Sequence, residues 1–263
     1  MQIQQRAEFH PVHRAPPPAI AALQSSIVHL FGHDVLPRLV KPRADGYAGQ
    51  VANFAQLAAS GDAAGLSAAV TTLLDQGMRA DHICQTYLTD VARRLGDLWM
   101  DDRCTFIEVT LGAILLQNEL RRIAPRLPHR EVEGRGRSAL MLAAPGEQHA
   151  FGIAMLAEFF RAAGWSVEEL VDAEEATATL AAAEFGLVAI SVAGASNALA
   201  LAPFIAALRA ASRQRHLVVM VGGNAINAEP SLLPLLGADA TAPDAATALQ
   251  RAETLVGLMG LSA

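Results

Sequence analysis

Two hydrophobic periods divide this chain. Up to about residue 124 the apolar positions recur at helical spacing; from Ser138 short continuous apolar runs alternate with helical ones. Ile20, Leu23, Ile27, Leu30 and Phe31 predict a first helix behind Pro16, Pro17 and Pro18, since proline is tolerated where a helix begins. Val51, Phe54, Leu57 and Ala58 mark a second helix. Ser60-Gly61-Asp62 ends it and starts a third, with Leu66, Val70, Leu73 and Leu74 inward and Gly77 at its close. Ile83, Tyr87, Val91, Leu95, Leu98 and Trp99 predict a long amphipathic helix. After a turn at Asp101-Asp102-Arg103, the last helix of this half runs from about Thr105 to Ile123. Short connections make antiparallel neighbours, so residues 16–124 are expected to form a helical bundle behind an N-terminal arm, 1–15.

Residues 125–137 carry prolines, glycines and Arg126, Arg130, Arg135 and Arg137, and read as a linker. Beyond it, strand-like runs at 139–143, 166–171, 187–193, 217–221 and 238–241 alternate with helical stretches at 150–163, about 174–183, about 198–211 and a final one to about Leu258. This βα succession predicts a doubly wound, five-stranded parallel sheet of the Rossmann or flavodoxin-like kind over residues 138–263. The expected fold is thus α plus α/β.

Composition narrows the class. The 263 residues are 52% hydrophobic and carry a net charge of −6, which fits a compact globular protein and does not favour a nonspecific grip on nucleic acid. No run reaches membrane-spanning length and no signal peptide is evident. Cys84 and Cys104 lie in no Cys-x-x-Cys pattern, so neither a disulfide framework nor a zinc site is expected, and a cytoplasmic setting is the default.

The candidate chemistry gathers where strands of one sheet end. Ala139–Ala143 leads into Pro145-Gly146-Glu147-Gln148-His149-Ala150-Phe151-Gly152 and a helix, so His149 falls on a loop at a strand's carboxyl end, where open α/β sheets bind ligands. Glu147 lies two residues before it and is able to hold one imidazole nitrogen, leaving the other for a metal; a solvated loop histidine is the alternative. Ser191, followed by Val192 and Ala193, stands near the end of the third strand, either as a donor to a buried ligand or as a cap of the next turn. Gly222-Gly223 end the fourth strand and permit close approach to backbone. His29 and His33, four apart on the first helix, read either as a solvated face or as a pair able to share a metal.

These residues resemble a known pattern. Residues 138–260 are similar to cobalamin-binding domains, whose hallmark is Asp-x-His-x-x-Gly, then Ser-x-Leu, then Gly-Gly; here stand Glu147-Gln148-His149-Ala150-Phe151-Gly152, Ser191-Val192-Ala193 and Gly222-Gly223. The resemblance implies that His149 is the lower axial ligand to cobalt and that the displaced nucleotide tail inserts between the Ser and Gly-Gly segments. Glu147 stands for the usual aspartate and Ala193 for the usual leucine. The bundle resembles the helical cap over the upper corrin face. In light-sensing relatives that cap carries a tryptophan and then Glu-His; Trp99 and Glu108 match, Val109 stands where histidine is usual, and the spacing is one residue shorter.

The whole arrangement resembles the AerR/PpaA group of bacterial regulators. That resemblance implies a cobalamin-binding, light-responsive antirepressor of photosynthesis genes, without catalytic turnover or direct specific nucleic-acid binding. It would act on a DNA-binding repressor of the PpsR/CrtJ type. With no histidine at Val109, His10 ahead of His13 on the arm becomes the candidate upper ligand. A corrinoid methyl carrier and a haem-binding redox sensor are the competing readings, and a bare receiver-like domain is disfavoured because no acidic cluster follows the first strand.

Overall fold

A computed structural model describes residues 46–129, 137–147, 150–192, 201–223, 226–227 and 229–260. The arm at 1–15, the helix expected at 20–31 and the pair His29 and His33 lie outside the described residues.

Helix α1 (Tyr47–Ala59) ends at Ser60, and Gly61, at φ +77°, turns the chain into α2 (Ala63–Asp75). Asp62 caps α2 by accepting the Gly65 N–H at 2.8 Å, satisfying one of the donors a helix start leaves open. The next helical stretch opens with Ala80–His82, widens to a π-helical segment at Ile83–Leu88 and continues as α3 (Thr89–Met100). Its α4 partner (Phe106–Ile123) begins at a capping box made by Thr105 and Glu108. Leu66, Leu88, Leu95, Leu116, Leu120 and Ile123 meet in the bundle core, as their helical spacing requires.

Strand β1 (Ser138–Ala143) feeds α5 (Ala150–Ala162), β2 (Ser166–Leu170) feeds α6 (Ala176–Ala182), and β3 (Leu187–Ser191) leads on to α7 (Leu201–Ala211). Strand β4 (Val218–Gly222) precedes the last helix, α8 (Ala245–Gly260). The strands pair in parallel in the order β2-β1-β3-β4. Leu142, Ile190 and Val221 pack on one face of the sheet with Leu180 and Leu208; Met141, Ala189 and Met220 pack on the other with Phe160 and Ala252.

The described sheet has four strands, not five. The segment expected as a fifth strand, 238–241, touches β4 through a single bridge between Met220 and Ala240. Asp239 explains why. Its backbone N–H donates to the Val219 carbonyl at 2.8 Å, while its carboxylate takes the Val219 N–H at 2.7 Å and the Arg209 guanidinium at 2.7 Å. A side chain thus supplies an acceptor that a continuing ladder would have supplied, and Pro243 follows without an N–H to give.

Helix α5 joins the two halves. Phe151, Ala154, Met155, Phe159 and Ala162 enter the bundle core, whereas Ile153, Ala157 and Phe160 enter the core against the sheet. Past α4, a short 3-10 turn at Ala124–Arg126 leads to His129, whose Nδ1 lies 3.2 Å from the Ala162 carbonyl at the end of α5.

Candidate functional site

The carboxyl ends of β1, β3 and β4 form one row. Ala143 stands opposite Ser191, and Ser191 opposite Gly222. Backbone hydrogen bonds lock the row from above: the Ala144 N–H donates to the Ser191 carbonyl at 2.9 Å, and the Val192 N–H to the Gly222 carbonyl at 2.8 Å. Alternation along parallel strands puts Ala143, Ser191 and Gly222 on the α5–α8 side of the sheet, one step beyond Met141, Ala189 and Met220. All three are half-buried, where the layer beneath them is closed.

Small residues let neighbouring elements approach this row closely. A Cβ on Gly152, in the first turn of α5, would stand 3.8 Å from the Ser191 Oγ, and one on Gly222 would stand 3.6 Å from the Ala242 carbonyl oxygen. Gly152 thus lies against Ser191, and Ala242 against Gly222, at the strand ends. Gly223 is required for a different reason. It adopts φ +107°, and a Cβ there would lie 2.3 Å from the Val192 carbonyl oxygen, so no other residue fits without moving backbone.

At the β1 end of this row, Pro145 and Gly146 (φ +80°) make a tight turn closed by the Glu147 N–H donating to the Ala144 carbonyl at 2.9 Å. Glu147 is 6% exposed, an unusual setting for a carboxylate and one that demands a partner. Gln148, His149 and Ala193 lie outside the described residues, and nothing is described of the Ala150 side chain. Among the described residues no group of three or more His, Cys, Asp or Glu is placed to hold a metal, and no helix is long and apolar enough to cross a membrane.

Phe151 and Val192 are motif neighbours but do not belong to this row. Phe151 is buried in the bundle core, and Val192 is fully buried on the far face of the sheet. Of the residues singled out by sequence, the structure brings Gly152, Ser191, Gly222 and Gly223 together. Ala143 and Ala242 belong beside them and were not singled out; their signal was small size at a strand end and at the start of the last loop, which is faint.

The α3–α4 hairpin lies toward the same end of the molecule. The His129–Ala162 tie sets the carboxyl ends of α4 and α5 together, and α4 packs along α5, so the two run in the same direction. The start of α4 is then on the side of the α5 N-terminus and of Glu147. Trp99 is half-buried against the bundle core there. Glu108 is exposed and occupied by the capping box: its carboxylate accepts the Thr105 N–H at 2.7 Å and hydroxyl at 2.8 Å, which holds it below the usual carboxylate range. Val109 is fully buried among the bundle residues and presents no surface at this end.

The B12 binding domain family matches residues 137–252. An uncharacterized 20.5 kDa protein in the bchF-crtJ intergenic region of Rhodobacter capsulatus is 26% identical over 180 residues, spanning 65% of this chain and 93% of that relative. The fold is similar to that of the Methanosarcina barkeri monomethylamine corrinoid protein at TM-score 0.62 and 19% identity, covering 78% of this chain and 97% of that one. A cobalamin-binding protein from Desulfitobacterium hafniense aligns at TM-score 0.41 and 16% identity, over 78% of this chain and 98% of its own.

Proposed function

Residues 137–252 being a B12-binding domain and cobalamin its cofactor, we propose that the chain is a light-responsive regulator that acts on a DNA-binding repressor of photosynthesis genes. The observation that carries this is the likeness to the protein of the bchF-crtJ region, which spans 93% of that relative's length and so takes in more than the cofactor domain. In this reading residues 16–124 are a cap, 125–137 a linker and 138–263 the cobalamin domain.

His149 would hold the cobalt of bound cobalamin, with Glu147 as the group that orients it, because a neutral imidazole suits a transition metal and its second nitrogen needs a fixed partner. Ser191 and the Gly222-Gly223 backbone hold the tail over the Ala143 row. Trp99, at the start-of-α4 end of the bundle, covers the upper face with its broad apolar ring, while Glu108 fixes the hairpin through its cap. His10, from the arm, would serve as a second protein ligand. Cobalamin, when bound, would supply a cobalt centre able to exchange a ligand. The chain's part is to sense which ligand is present and to alter the bundle through α5, which both cores share.

The test is release of a PpsR/CrtJ-type repressor from its operator by the cobalamin-loaded chain, in the dark and after illumination. The account expects release in one state and much weaker release in the other. Equal action by loaded and cobalamin-free chain would overturn it. A corrinoid methyl carrier is the second reading, favoured by the fold shared with the Methanosarcina barkeri protein; stoichiometric methyl uptake from a methyltransferase and donor would select it.

A further inference from the structure

The segment that stands beside Gly222 is anchored at the other end of β4. Residues 237–242 run along the edge of β4 that faces away from β3. Two backbone bonds join them to it: the Asp239 N–H donates to the Val219 carbonyl at 2.8 Å, and the Val221 N–H to the Ala240 carbonyl at 3.0 Å. Side chains complete the attachment. Oδ2 of Asp239 accepts the Val219 N–H at 2.7 Å and the Arg209 guanidinium at 2.7 Å. Arg209, near the end of α7, also donates to the Leu217 carbonyl at 2.6 Å and to the Gly237 carbonyl at 3.0 Å. One planar guanidinium thus joins α7, the entry to β4 and the start of the segment, a fork that an ammonium does not reproduce. Farther along, Arg251 of α8 donates to the Thr241 carbonyl.

We propose that Arg209 and Asp239 are positioning residues for cobalamin: they set where Ala242 stands against Gly222, and so how well the chain accepts a corrinoid that carries a nucleotide tail. The proposal rests on the reading that the tail lies at the Ser191 and Gly222-Gly223 segments. A Cβ on Gly222 would meet the Ala242 carbonyl oxygen at 3.6 Å; among the described residues beyond Gly222's own chain neighbours, no other atom comes within 4 Å of that point. Ala242 therefore bounds this end of the row, and moving the segment moves the boundary. Gly222 lies three residues past Val219, and Ala242 three past Asp239, so the pair acts from about 10 Å away and is not itself part of the row. The side chains of Arg209 and Asp239 are 34% and 32% exposed, so removing either leaves no buried charge behind, and the fold is expected to survive.

The experiment titrates the full chain with cobalamin and with cobinamide, a corrinoid that lacks the nucleotide tail, and reads both affinities by absorption. The unaltered chain is expected to prefer cobalamin by at least about tenfold. Asp239→Ala and Arg209→Met should each remove most of that preference by weakening cobalamin binding, while cobinamide affinity changes by less than about twofold. The double variant should be no worse than either single one, as for two residues that act as a unit. Asp239→Asn keeps the side chain's shape and an oxygen for the Val219 N–H; it should lose the preference in part, and it stands in if a truncated variant does not fold by circular dichroism. Arg213→Ala is the comparison, because its guanidinium ties the Ala182 carbonyl at 3.1 Å instead, and it should keep the preference whole. Folded Arg209 and Asp239 variants with the full preference, or with equal losses for both corrinoids, would overturn the proposal alone. No preference in the unaltered chain would overturn the reading of the tail site and the proposal with it.

Discussion

Phe159 and Phe160 are neighbours in sequence and bury their rings in different cores: Phe159 in the bundle, Phe160 against the sheet, where it meets Trp165 edge to face at 5.1 Å between centroids. One helix is therefore the shared wall of both halves, and it begins three residues after Glu147. Because α5 contributes to both cores, neither half is expected to melt alone.

That coupling is measurable with the chain's two tryptophans, because Trp99 reports the bundle and Trp165 the sheet. In Trp99→Phe and Trp165→Phe variants, urea unfolding followed by the remaining tryptophan is expected to give coincident midpoints. Phe159→Ala and Phe160→Ala should each lower both midpoints together, by about 3–5 kcal/mol of stability. Separate transitions would show that α5 does not unite the halves.

Two glycines should respond oppositely to alanine. At Gly223 a Cβ meets the Val192 carbonyl oxygen at 2.3 Å with φ at +107°, so Gly223→Ala is expected to cost about 1–3 kcal/mol. At Gly257, inside α8, a Cβ would meet nothing within 4 Å, so Gly257→Ala is expected to stabilise by about 0.5–1 kcal/mol. Denaturant midpoints check both, and equal effects would contradict the geometry.

The thiols give a pH dependence with a definite sign. Burial pushes the Cys84 thiol up to about 12 from an ordinary 9.0, and Cys104, half-buried, is raised as well. The folded chain keeps the Cys84 proton after the unfolded chain has lost it. Stability therefore falls as pH rises above about 9, over a window reaching toward 12, and Cys84→Ala should flatten that fall. At pH 8 iodoacetamide should modify Cys104 slowly and Cys84 only on unfolding; rapid labelling of Cys84 in native protein would refute its burial.

The cap assignment is read from ligand choice. Trp99→Ala should change the ratio of affinities for cobalamins with small and bulky upper ligands. His10→Ala, with His13→Ala as its comparison, should alter the spectrum of the loaded, illuminated chain if the arm supplies a ligand. Unchanged ratios and spectra would remove Trp99 and the arm from the upper face.

Much of the fold was legible because period and burial agree. Leu66, Leu95, Leu116 and Leu120 sit where a 3.6-residue repeat puts them, and the strands at Ala139, Leu187 and Leu217 were marked by unbroken apolar runs. The fifth strand misled because Ala238–Thr241 has strand composition, while the carboxylate of Asp239 ends the ladder by a side-chain bond that no periodicity displays. The π-helical turn at Ile83–Leu88 was invisible for a similar reason: one residue more per turn barely shifts the apolar pattern. At the site, Gly152, Ser191, Gly222 and Gly223 were legible as residue types, but their alignment with Ala143 and Ala242 depends on strand register. Val109 lay next to Glu108 in sequence, yet one step around α4 separates an exposed cap from the core.

The central claim is that the strand-end groove holds cobalamin with His149 beneath the metal. The direct measurement is titration of the full chain and of His149→Ala with cobalamin, followed by absorption spectroscopy, with circular dichroism to verify that the variant is folded. The account predicts saturable binding and an imidazole-ligated spectrum for the unaltered chain, and for His149→Ala a loss of at least tenfold in affinity, about 1.4 kcal/mol, with a changed spectrum. A folded His149→Ala variant with the same affinity and the same spectrum would contradict it.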